Sequence, residues 1–253
     1  MKRFYEENYG SPALVELWAD FIDWKKRRKG EQGFLVKRLK KHQCLKILDA
    51  SLGDGCDSIY LLKQNFRVIS NEIDSLFTKK ARLNSQKESV RLKITNYNWL
   101  EIDKKFSKNS FDAIILLGNS LTYLFSKKDR LRTLSAFHNI LRKGGVLLVD
   151  ERNYGYILSH KREIKRGKFR YSGKYVYCGS KVHAKPVEIQ KNKIVMEYEH
   201  QNGKKGFLTL YPFKKGELKA LLKETGFKKV TRHSDYKKGY SNKADFYQYE
   251  AVK

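Results

Sequence analysis

The sequence predicts an α/β protein built on a doubly wound sheet, and three observations support this prediction. Short apolar segments of strand length alternate with segments of helical spacing, and strands separated by helices pair in parallel. The stretch ILDASLGDGCDSIYLL at 47–62 joins an apolar strand to the start of a helix through a turn with Gly53 and Gly55. Later in the chain, apolar and polar residues alternate, which predicts an antiparallel β insertion in this fold.

The first predicted elements are helices. ALVELWADFIDW at 13–24 and FLVKRLKKH at 34–42 have helical spacing and are separated by KKRRKG, so residues 1–42 are expected to form an N-terminal helical cap. A strand–helix alternation follows, in which a helix around 128–141 is expected to end at a Gly-Gly stop. Its predicted strands are CLKILDA at 44–50, RVISNE at 67–72, FDAIILLG at 111–118 and KGGVLLVDE at 143–151.

Beyond Tyr156 the pattern changes to antiparallel strands with turn signals at Asn192 and at Asn202-Gly203. Helical spacing returns at 216–226, and the tail at 244–252 alternates again. The predicted strands of the insertion are 174–183, 187–200 and 206–213. The expected organisation is a cap over 1–42, a core over 43–152 and 214–253, and a β insertion over 153–213 that covers the substrate site.

Composition limits the class of protein. Of the 253 residues, 40% are hydrophobic and 13% aromatic, which is enough for a packed core. The longest apolar runs are far shorter than the roughly 20 residues that span a bilayer, so no membrane partner is expected. The N-terminus has no apolar run typical of a secretory signal, and the 3 cysteines have no ligand or redox spacing. We therefore expect a cytoplasmic protein with unpaired thiols.

The charge is unusual, because 54 Lys and Arg against 27 Asp and Glu leave a formal net charge of +27. One interpretation is a general cationic surface, since the excess is spread along the chain. The other is contact with a polyanion, for which KREIKRGKFRYSGKYVYCGSK at 161–181 interleaves basic and aromatic residues as a nucleic-acid groove does. A nucleic-acid partner is therefore possible but not favoured.

The glycine turn indicates a nucleotide-like ligand, but not a dinucleotide. The dinucleotide fingerprint requires a third glycine, and Ser58 stands in its place, so NAD and FAD are weakly supported. S-adenosylmethionine has no phosphate and needs only a backbone turn close to its amino-acid portion. Asp49, at the end of the preceding strand, would then lie beside the ammonium group of that cofactor.

Two further motifs favour S-adenosylmethionine. Glu72 ends the second strand, where a carboxylate can accept hydrogen bonds from both ribose hydroxyls. Asn98-Trp99 lies in the connection before the next buried strand, where an indole can cover an adenine face. The alternatives are a surface glutamate and a core tryptophan. The glycine turn, the carboxylate at the end of the second strand and the Asn-Trp loop follow one another in the order that is typical of a Rossmann-like class I methyltransferase.

Polar residues follow the next two strands at the sheet edge where ligands bind in such folds. LLGNSLTYL at 116–124 places an Asn-Ser pair just beyond one buried strand. VDERNYGYIL at 149–158 places Arg152 at the end of another. Arg152 could pair with Glu151 on the surface, or it could hold a substrate carboxylate through two hydrogen bonds.

Together these motifs resemble the glycine/sarcosine N-methyltransferase family of S-adenosylmethionine-dependent enzymes, and the resemblance covers nearly the whole chain. Its most specific parts are the run GNS followed by DERNYGYIL, and it also includes LDASLGDGCDSI, SNEID, NYNW and LYPF. It implies methyl transfer to the amine of glycine, sarcosine or dimethylglycine, with S-adenosylmethionine as cofactor and no metal. It does not indicate which methylation step is preferred or the oligomeric state.

The resemblance also implies roles for individual residues. An arginine matching Arg152 and an asparagine matching Asn119 meet the substrate carboxylate, and tyrosines matching Tyr154, Tyr198 and Tyr211 line the methyl-transfer pocket. The cofactor is held by groups matching Tyr9, Trp18, Arg28, Ser51, Gly53, Glu72, Asn98, Trp99 and Leu117. This chain departs mildly from the family at Ser51 and Glu72, where Ala or Gly and Asp are more common.

Two rival hypotheses remain open at this point. The same cofactor could serve an RNA acceptor or another small amine guided by the basic surface, or the fold could be a non-catalytic binding module. The asparagine, arginine and tyrosine set argues against the second, because a pure binder does not need it. No protein nucleophile is required for methyl transfer to an amine, and the sequence contains no obvious dedicated base.

Overall fold

An eight-stranded sheet forms the centre of the computed structural model, which describes residues 12–168 and 179–253. A separate three-stranded sheet lies beside it. The strands of the large sheet are β1 (Lys46–Asp49), β2 (Arg67–Asn71), β3 (Ile94–Thr95), β4 (Phe111–Leu116), β5 (Leu141–Arg152), β9 (Lys229–Ser234), β10 (Lys237–Lys238) and β11 (Phe246–Val252). The small sheet contains β6 (Val182–Ile189), β7 (Ile194–His200) and β8 (Lys205–Leu210).

Helices connect and cover these strands. They are α1 (Pro12–Phe21), α2 (Trp24–Glu31), α3 (Phe34–Lys41), α4 (Cys56–Lys63), α5 (Ser75–Lys87), α6 (Ile102–Lys105), α7 (Lys127–Ile140), α8 (Tyr154–Ser159), α9 (Lys161–Glu163) and α10 (Glu217–Glu224). Short 3₁₀ turns occupy Trp99–Glu101 and Ser120–Tyr123. None of the helices in the described part of the chain is long and apolar enough to cross a membrane.

The strand order β10-β9-β11-β5-β4-β1-β2-β3 confirms the predicted doubly wound sheet. β1 pairs in parallel with both β2 and β4, so the chain reverses its direction of travel across the sheet at β1. In such sheets the ligand lies outside the carboxyl ends of the strands at this switch point.

β11 is the exception to parallel pairing, because it runs antiparallel to both β5 and β9. The chain turns through the short β10 between β9 and β11, and a parallel partner would need a crossover connection of about a dozen residues or more, usually a helix. The alternating pattern of the tail is therefore an antiparallel signature.

The buried strands divide their side chains between two cores. Along β4, Ile114 and Leu116 face one hydrophobic cluster, while Ala113 and Ile115 face another. Because successive side chains of a strand point to opposite faces, the sheet is covered on both sides, as the apolar runs predict. The first cluster also contains Leu14 of α1 together with residues of the small sheet, so cap, insertion and large sheet share one core.

Two predicted boundaries in the cap and the insertion are wrong. The basic run between the first two predicted helices is itself helical: α2 begins after Asp23, whose side chain accepts a hydrogen bond from the backbone N–H of Lys26 at 2.9 Å. Lys and Arg are good helix formers, so a strong N-cap is enough to start this helix. The segment predicted as one strand over 187–200 contains a turn closed by Gln190 N–H to the Lys193 carbonyl at 2.8 Å.

The basic segment at 161–181 is described only in part. Its start is helical, in α9 and a wider helical turn at Ile164–Lys168. Residues 169–178, which include half of the predicted strand at 174–183, lie outside the described residues.

Candidate functional site

Two cavities open at the carboxyl ends of β1, β2 and β4. The first, which we call the reaction cavity, has about 930 Å³ of empty space, part of it open to solvent. It is lined by residues of the cap, the glycine turn, the β4 and β5 ends and the small sheet, including Trp18, Ser51, Gly53, Leu117, Asn119, Arg152 and Tyr198. The second, the adenosine-sized cavity, has about 570 Å³ and is lined by Ser51, Glu72, Asn98, Trp99 and Tyr123. The two cavities meet at Ser51 and Tyr123.

The glycine turn is built around backbone angles that suit glycine. Gly53 has φ 54° and Gly55 has φ 96°, both in the left-handed region. The Gly53 N–H donates to Glu72 Oε2 at 2.9 Å, and the Ser51 hydroxyl donates to the Leu117 carbonyl at 3.0 Å. The turn is thus tied to the ends of both neighbouring strands, β2 and β4.

Ser58, the residue in place of a third glycine, is fully buried behind this turn. Its hydroxyl donates to Asp49 Oδ2 at 2.7 Å and contacts the Ser70 hydroxyl at 2.8 Å. Asp49 Oδ1 in turn accepts the Ser51 N–H at 3.2 Å, and burial raises the pKa of Asp49 to about 7. Asp49 lines neither cavity and braces the turn from inside, so its place beside the cofactor's ammonium group stays a prediction.

Glu72, Asn98 and Trp99 are brought together in the adenosine-sized cavity. Glu72 accepts the Asp74 N–H at 3.0 Å in addition to that of Gly53, and burial raises its pKa to about 7. The Trp99 indole N–H donates to the Ala50 carbonyl at 2.7 Å, which fixes the ring against the end of β1. Asn98 caps the following 3₁₀ turn through its side-chain oxygen, which accepts the Leu100 N–H at 3.0 Å.

Asn119 and Arg152 meet at the wall of the reaction cavity. Asn119 has φ 64°, and its Nδ2 donates to the Tyr154 hydroxyl at 2.6 Å and to Thr122 Oγ1 at 3.2 Å. Its Oδ1 accepts the Arg152 backbone N–H at 3.1 Å. Asn119 thus holds the Arg152 backbone and Tyr154 in this structure, and its contact with a substrate carboxylate stays a prediction.

The Arg152 guanidinium lies in a mostly buried position, with its carbon 5.0 Å from the centre of the Phe246 ring. Tyr154 is fully buried beneath it and lies outside the lining of the reaction cavity. Burial raises the pKa of Tyr154 to about 12, so its phenol stays neutral. Tyr154 contacts Asn119 from behind the cavity wall, and its role in the methyl-transfer pocket stays a prediction.

Comparison with known proteins identifies the family. A methyltransferase domain model matches residues 47–145. Over 250 residues, the chain is 35% identical to the glycine/sarcosine N-methyltransferase of Halorhodospira halochloris, covering 98% of this chain and 90% of that protein. The chain belongs to the glycine/sarcosine N-methyltransferase family. It is also 33% identical to the glycine/sarcosine N-methyltransferase of Aphanothece halophytica, covering 98% of this chain and 91% of that protein.

Solved structures agree with this family on the fold. An S-adenosylmethionine-dependent methyltransferase from Clostridium acetobutylicum superimposes with a TM-score of 0.70 at 15% identity, covering 91% of this chain and 92% of that one. The S-adenosylmethionine-bound amino pentose methyltransferase CalS10 from Micromonospora echinaspora gives a TM-score of 0.60 at 14% identity, covering 90% and 92%. The class I methyltransferase fold predicted from the sequence is confirmed.

Two residues that the family resemblance implied, Tyr211 and Arg28, line neither cavity, and a third falls outside the described residues. Tyr211 lines neither cavity: its hydroxyl donates to Glu217 Oε1 at 3.0 Å, and the Arg130 guanidinium carbon lies 3.8 Å from its ring centre. Arg28 also lines neither cavity, because it binds Glu31 at 2.7 Å, contacts Asp57 and stacks on a tyrosine ring. The third, Tyr9, lies outside the described residues.

Two residues that line these cavities, Arg27 and Tyr123, are not among those predicted from the sequence. Arg27, beside Arg28, lines the reaction cavity and binds Asp57 at 2.6 Å and Glu31 at 3.0 Å. Although burial opposes ionisation, these neighbouring arginines keep the pKa of Asp57 below its usual value. Tyr123 lines both cavities, and it follows the GNS run closely enough that the motif could have indicated it.

Tyr198 occupies the side of the reaction cavity formed by the small sheet. Its ring packs edge-on against Phe21 with centres 5.0 Å apart, and the Trp18 ring centre lies 5.9 Å away. Cap and insertion therefore meet through aromatic rings at the cavity wall. This contact explains how a tyrosine of the antiparallel segment reaches a site built on the parallel sheet.

Proposed function

We propose that this chain is an S-adenosylmethionine-dependent N-methyltransferase whose acceptor is the amine of glycine, sarcosine or dimethylglycine. The observation that carries the proposal is the mostly buried Arg152 guanidinium in the reaction cavity, next to a second cavity with a carboxylate and an indole on its wall. The planar guanidinium group presents paired N–H donors that can bind both oxygens of a carboxylate, and the buried position strengthens these bonds. The names of the family relatives support the same acceptor class.

The residues of the two cavities fit the cofactor. Glu72 offers a buried acceptor for ribose hydroxyls, and Trp99 offers a ring held in place by Ala50. A side chain at Gly53 would project into open space. Because glycine has no side chain, this space stays open and a ligand can approach the turn. Ser51 and Leu117 border the reaction cavity between these groups and Arg27. When bound, S-adenosylmethionine supplies a methyl group on a positively charged sulfur.

The chain's own residues act chiefly by alignment. Arg152 would hold the amino acid by its carboxylate, and Asn119 fixes the Arg152 backbone, so the amine is directed into the reaction cavity. Such alignment can contribute about 7 kcal/mol or more to lowering a barrier. Tyr123 is half-buried, and desolvation raises its pKa well above the ordinary value, so its phenol orients neighbouring groups by hydrogen bonding and does not remove protons. The amine reaches this site after losing its proton to water.

The proposed carboxylate site is tested by replacing Arg152. In Arg152→Lys and Arg152→Ala we expect the glycine KM to rise on the order of 100-fold for Ala and less for Lys, because charge-assisted hydrogen bonds are lost. The Kd of S-adenosylmethionine, measured by calorimetry, is expected to change little. The control is Arg91→Ala, an exposed arginine that lines neither cavity. Equal losses of cofactor affinity and glycine affinity would contradict the assigned role.

The acceptor class is tested by mass spectrometry with isotopically labelled S-adenosylmethionine. The panel contains glycine, sarcosine, dimethylglycine, other small amines and bulk RNA, and we expect label in the small amino acids. Transfer to RNA without transfer to the amino acids would reverse the assignment. Because nucleic-acid binding weakens steeply with salt, an RNA acceptor would also lose turnover with ionic strength, whereas glycine turnover is expected to change little.

The same proposal extends to a cytoplasmic location. Cys44 and Cys56 are free thiols, both buried, and burial raises the pKa of each to about 12. Thiols kept in this form suit a reducing compartment. Localisation of the tagged full-length chain in its own cells tests this expectation.

A further inference from the structure

A third cavity lies on the other side of Arg152, apart from the reaction cavity and the adenosine-sized cavity. It has about 930 Å³ of empty space, part of it open to solvent, and lies between the end of β5 with α8, the loop after β8 and the strands β9 and β11. We call it the basic cavity, because cationic side chains line it: Arg152, Lys214, Lys215, Arg232 and Lys243. Glu151 is the one carboxyl-bearing residue among its described lining residues.

The lysines of the basic cavity and Arg232 differ from many other cations of the protein. Arg27, Arg130 and Arg142 each bind a carboxylate within 3.2 Å. Within residues 12–168 and 179–253, no salt bridge joins Lys214, Lys215, Arg232 or Lys243 to a carboxylate. The Arg232 guanidinium instead lies 4.1 Å from the centre of the Tyr240 ring. Positive charge gathered in a concave wall raises the local concentration of anions.

Glu151 provides a second and independent observation. It is only 5% exposed, and its Oε1 accepts the Tyr249 hydroxyl at 2.6 Å. Its Oε2 is buried with no hydrogen-bond partner in the structure. A buried polar atom without a hydrogen-bond partner indicates that a group able to bond it is missing from the structure. Burial raises the pKa of Glu151 to about 8, so at neutral pH this group carries a proton and can donate it in a hydrogen bond.

We propose that the basic cavity binds a small oxyanion with two or more charged groups, such as a phosphate compound or a polycarboxylate, and that this anion opposes binding of the amino-acid substrate through Arg152. The lysines and Arg232 would meet the charged oxygens, and Glu151 would donate to one of them. Arg152 lines both this cavity and the reaction cavity, so an anion on one side competes for its guanidinium with a carboxylate on the other. This coupling rests on the proposed role of Arg152.

Direct binding is tested by calorimetry on the full-length protein with inorganic pyrophosphate and with citrate, at ionic strength held constant with NaCl. We expect saturable binding of at least one anion with a Kd of about 1 mM or tighter. The anion with the lower Kd shows whether the cavity prefers a phosphate or a polycarboxylate ligand. Lack of saturable binding by both anions would overturn the proposal, whether or not the protein methylates glycine.

Location is tested with variants matched in charge. Lys214→Gln/Lys215→Gln removes two exposed cations of the cavity and is expected to weaken the anion Kd about tenfold or more. Lys219→Gln/Lys223→Gln removes the same charge from exposed positions of α10 outside the cavity, and its Kd is expected to stay within about twofold. If both double variants weaken anion binding equally, the effect is diffuse electrostatic attraction, and the proposed site is overturned. Arg232→Gln provides a further variant at the cavity wall.

Coupling is tested by steady-state kinetics at several anion concentrations. The anion is expected to raise the glycine KM with little change in kcat, and Lys214→Gln/Lys215→Gln is expected to lose this response. The Kd of S-adenosylmethionine is expected to remain the same with and without the anion. Calorimetric binding together with an unchanged glycine KM would overturn the coupling.

Discussion

Ser58 shows how a single residue changes the meaning of the glycine turn. A missing third glycine predicts only that a dinucleotide is a poor fit. In the structure, the Ser58 hydroxyl bridges Asp49 and Ser70 in a fully buried position, so this residue supplies the internal support of the turn. Sequence spacing could not reveal this, because the partners come from two different strands and meet only after the sheet has formed.

Removal of this hydroxyl is expected to be costly. Ser58→Ala leaves Asp49 Oδ2 and the Ser70 hydroxyl buried without their partner, and each unsatisfied group costs about 1–3 kcal/mol. We expect the free energy of unfolding, measured with urea, to fall by roughly 2–4 kcal/mol. Ser107→Ala, at an exposed position, is the control and should stay within about 0.5 kcal/mol. A Ser58 variant as stable as the control would contradict the bracing role.

Glu72 gives a prediction in pH. Its pKa is raised to about 7 by burial, so the side chain is ionised above that pH and protonated below it. The carboxylate is the better acceptor for hydroxyl groups, so affinity for S-adenosylmethionine is expected to weaken as the pH falls from 8 to 6. Calorimetry across this range measures the effect. Glu72→Gln should bind more weakly at pH 8 and lose most of the pH dependence. An equally steep dependence in that variant would assign it to another group.

At the level of single residues, the sequence predicts the positions of those site residues that directly follow a strand. Glu72 and Trp99 lie where their spacing predicts, because each follows a strand of the parallel sheet at its carboxyl end. Asn119, Tyr154 and Tyr211 are near the site, but their hydrogen bonds commit them to other side chains. The Asn119–Tyr154 pair joins residues 35 apart, and Glu217 lies in the next helix after Tyr211, so a motif cannot reveal which polar group stays available to a ligand.

At the level of elements, the glycines at 144–145 were expected to stop a helix. α7 ends earlier, at Ile140, and both glycines lie inside β5. Gly144 has φ 72°, and Gly145 passes close to two carbonyl oxygens where β4 and β5 shift register. Helix and strand abut here without a loop: β5 begins at Leu141, whereas the predicted strand starts at residue 143.

This close approach predicts the effect of a single methyl group. A Cβ at Gly145 would lie 2.8 Å from the Arg142 carbonyl oxygen and 2.9 Å from that of Asp112, both of them backbone atoms that cannot move alone. Gly145→Ala is therefore expected to lower the free energy of unfolding by about 1–3 kcal/mol. Gly155→Ala is the matched control, because a Cβ in α8 meets only the Asn153 side chain, at 3.5 Å. The control should be neutral or stabilising by up to about 1 kcal/mol.

At the level of the whole molecule, the net charge of +27 is part of the stability balance. One carboxylate, that of Glu250, is surrounded by partners: it accepts from Lys41 at 2.8 Å and contacts the imidazoles of His42 at 2.6 Å and His233 at 3.3 Å. The side chain of Glu250 is nearly buried, so salt weakens these contacts little. The remaining surface cations repel one another, and this repulsion favours the unfolded chain.

Salt is therefore expected to stabilise the protein. The Debye length falls from about 30 Å at 0.01 M to about 3 Å at 1 M, which removes most repulsion between exposed charges but leaves the buried Glu250 cluster nearly intact. We expect the melting temperature, followed by calorimetry, to rise by several degrees between low salt and about 0.5 M NaCl. Choline chloride at equal ionic strength should reproduce the rise, because screening does not depend on the cation. Pyrophosphate separates general screening from binding in the basic cavity. If it binds there, it should raise the melting temperature more than NaCl of equal ionic strength does. Lys214→Gln/Lys215→Gln should abolish only this additional rise. A melting temperature that falls with NaCl would mean that attractive surface pairs outweigh the repulsion.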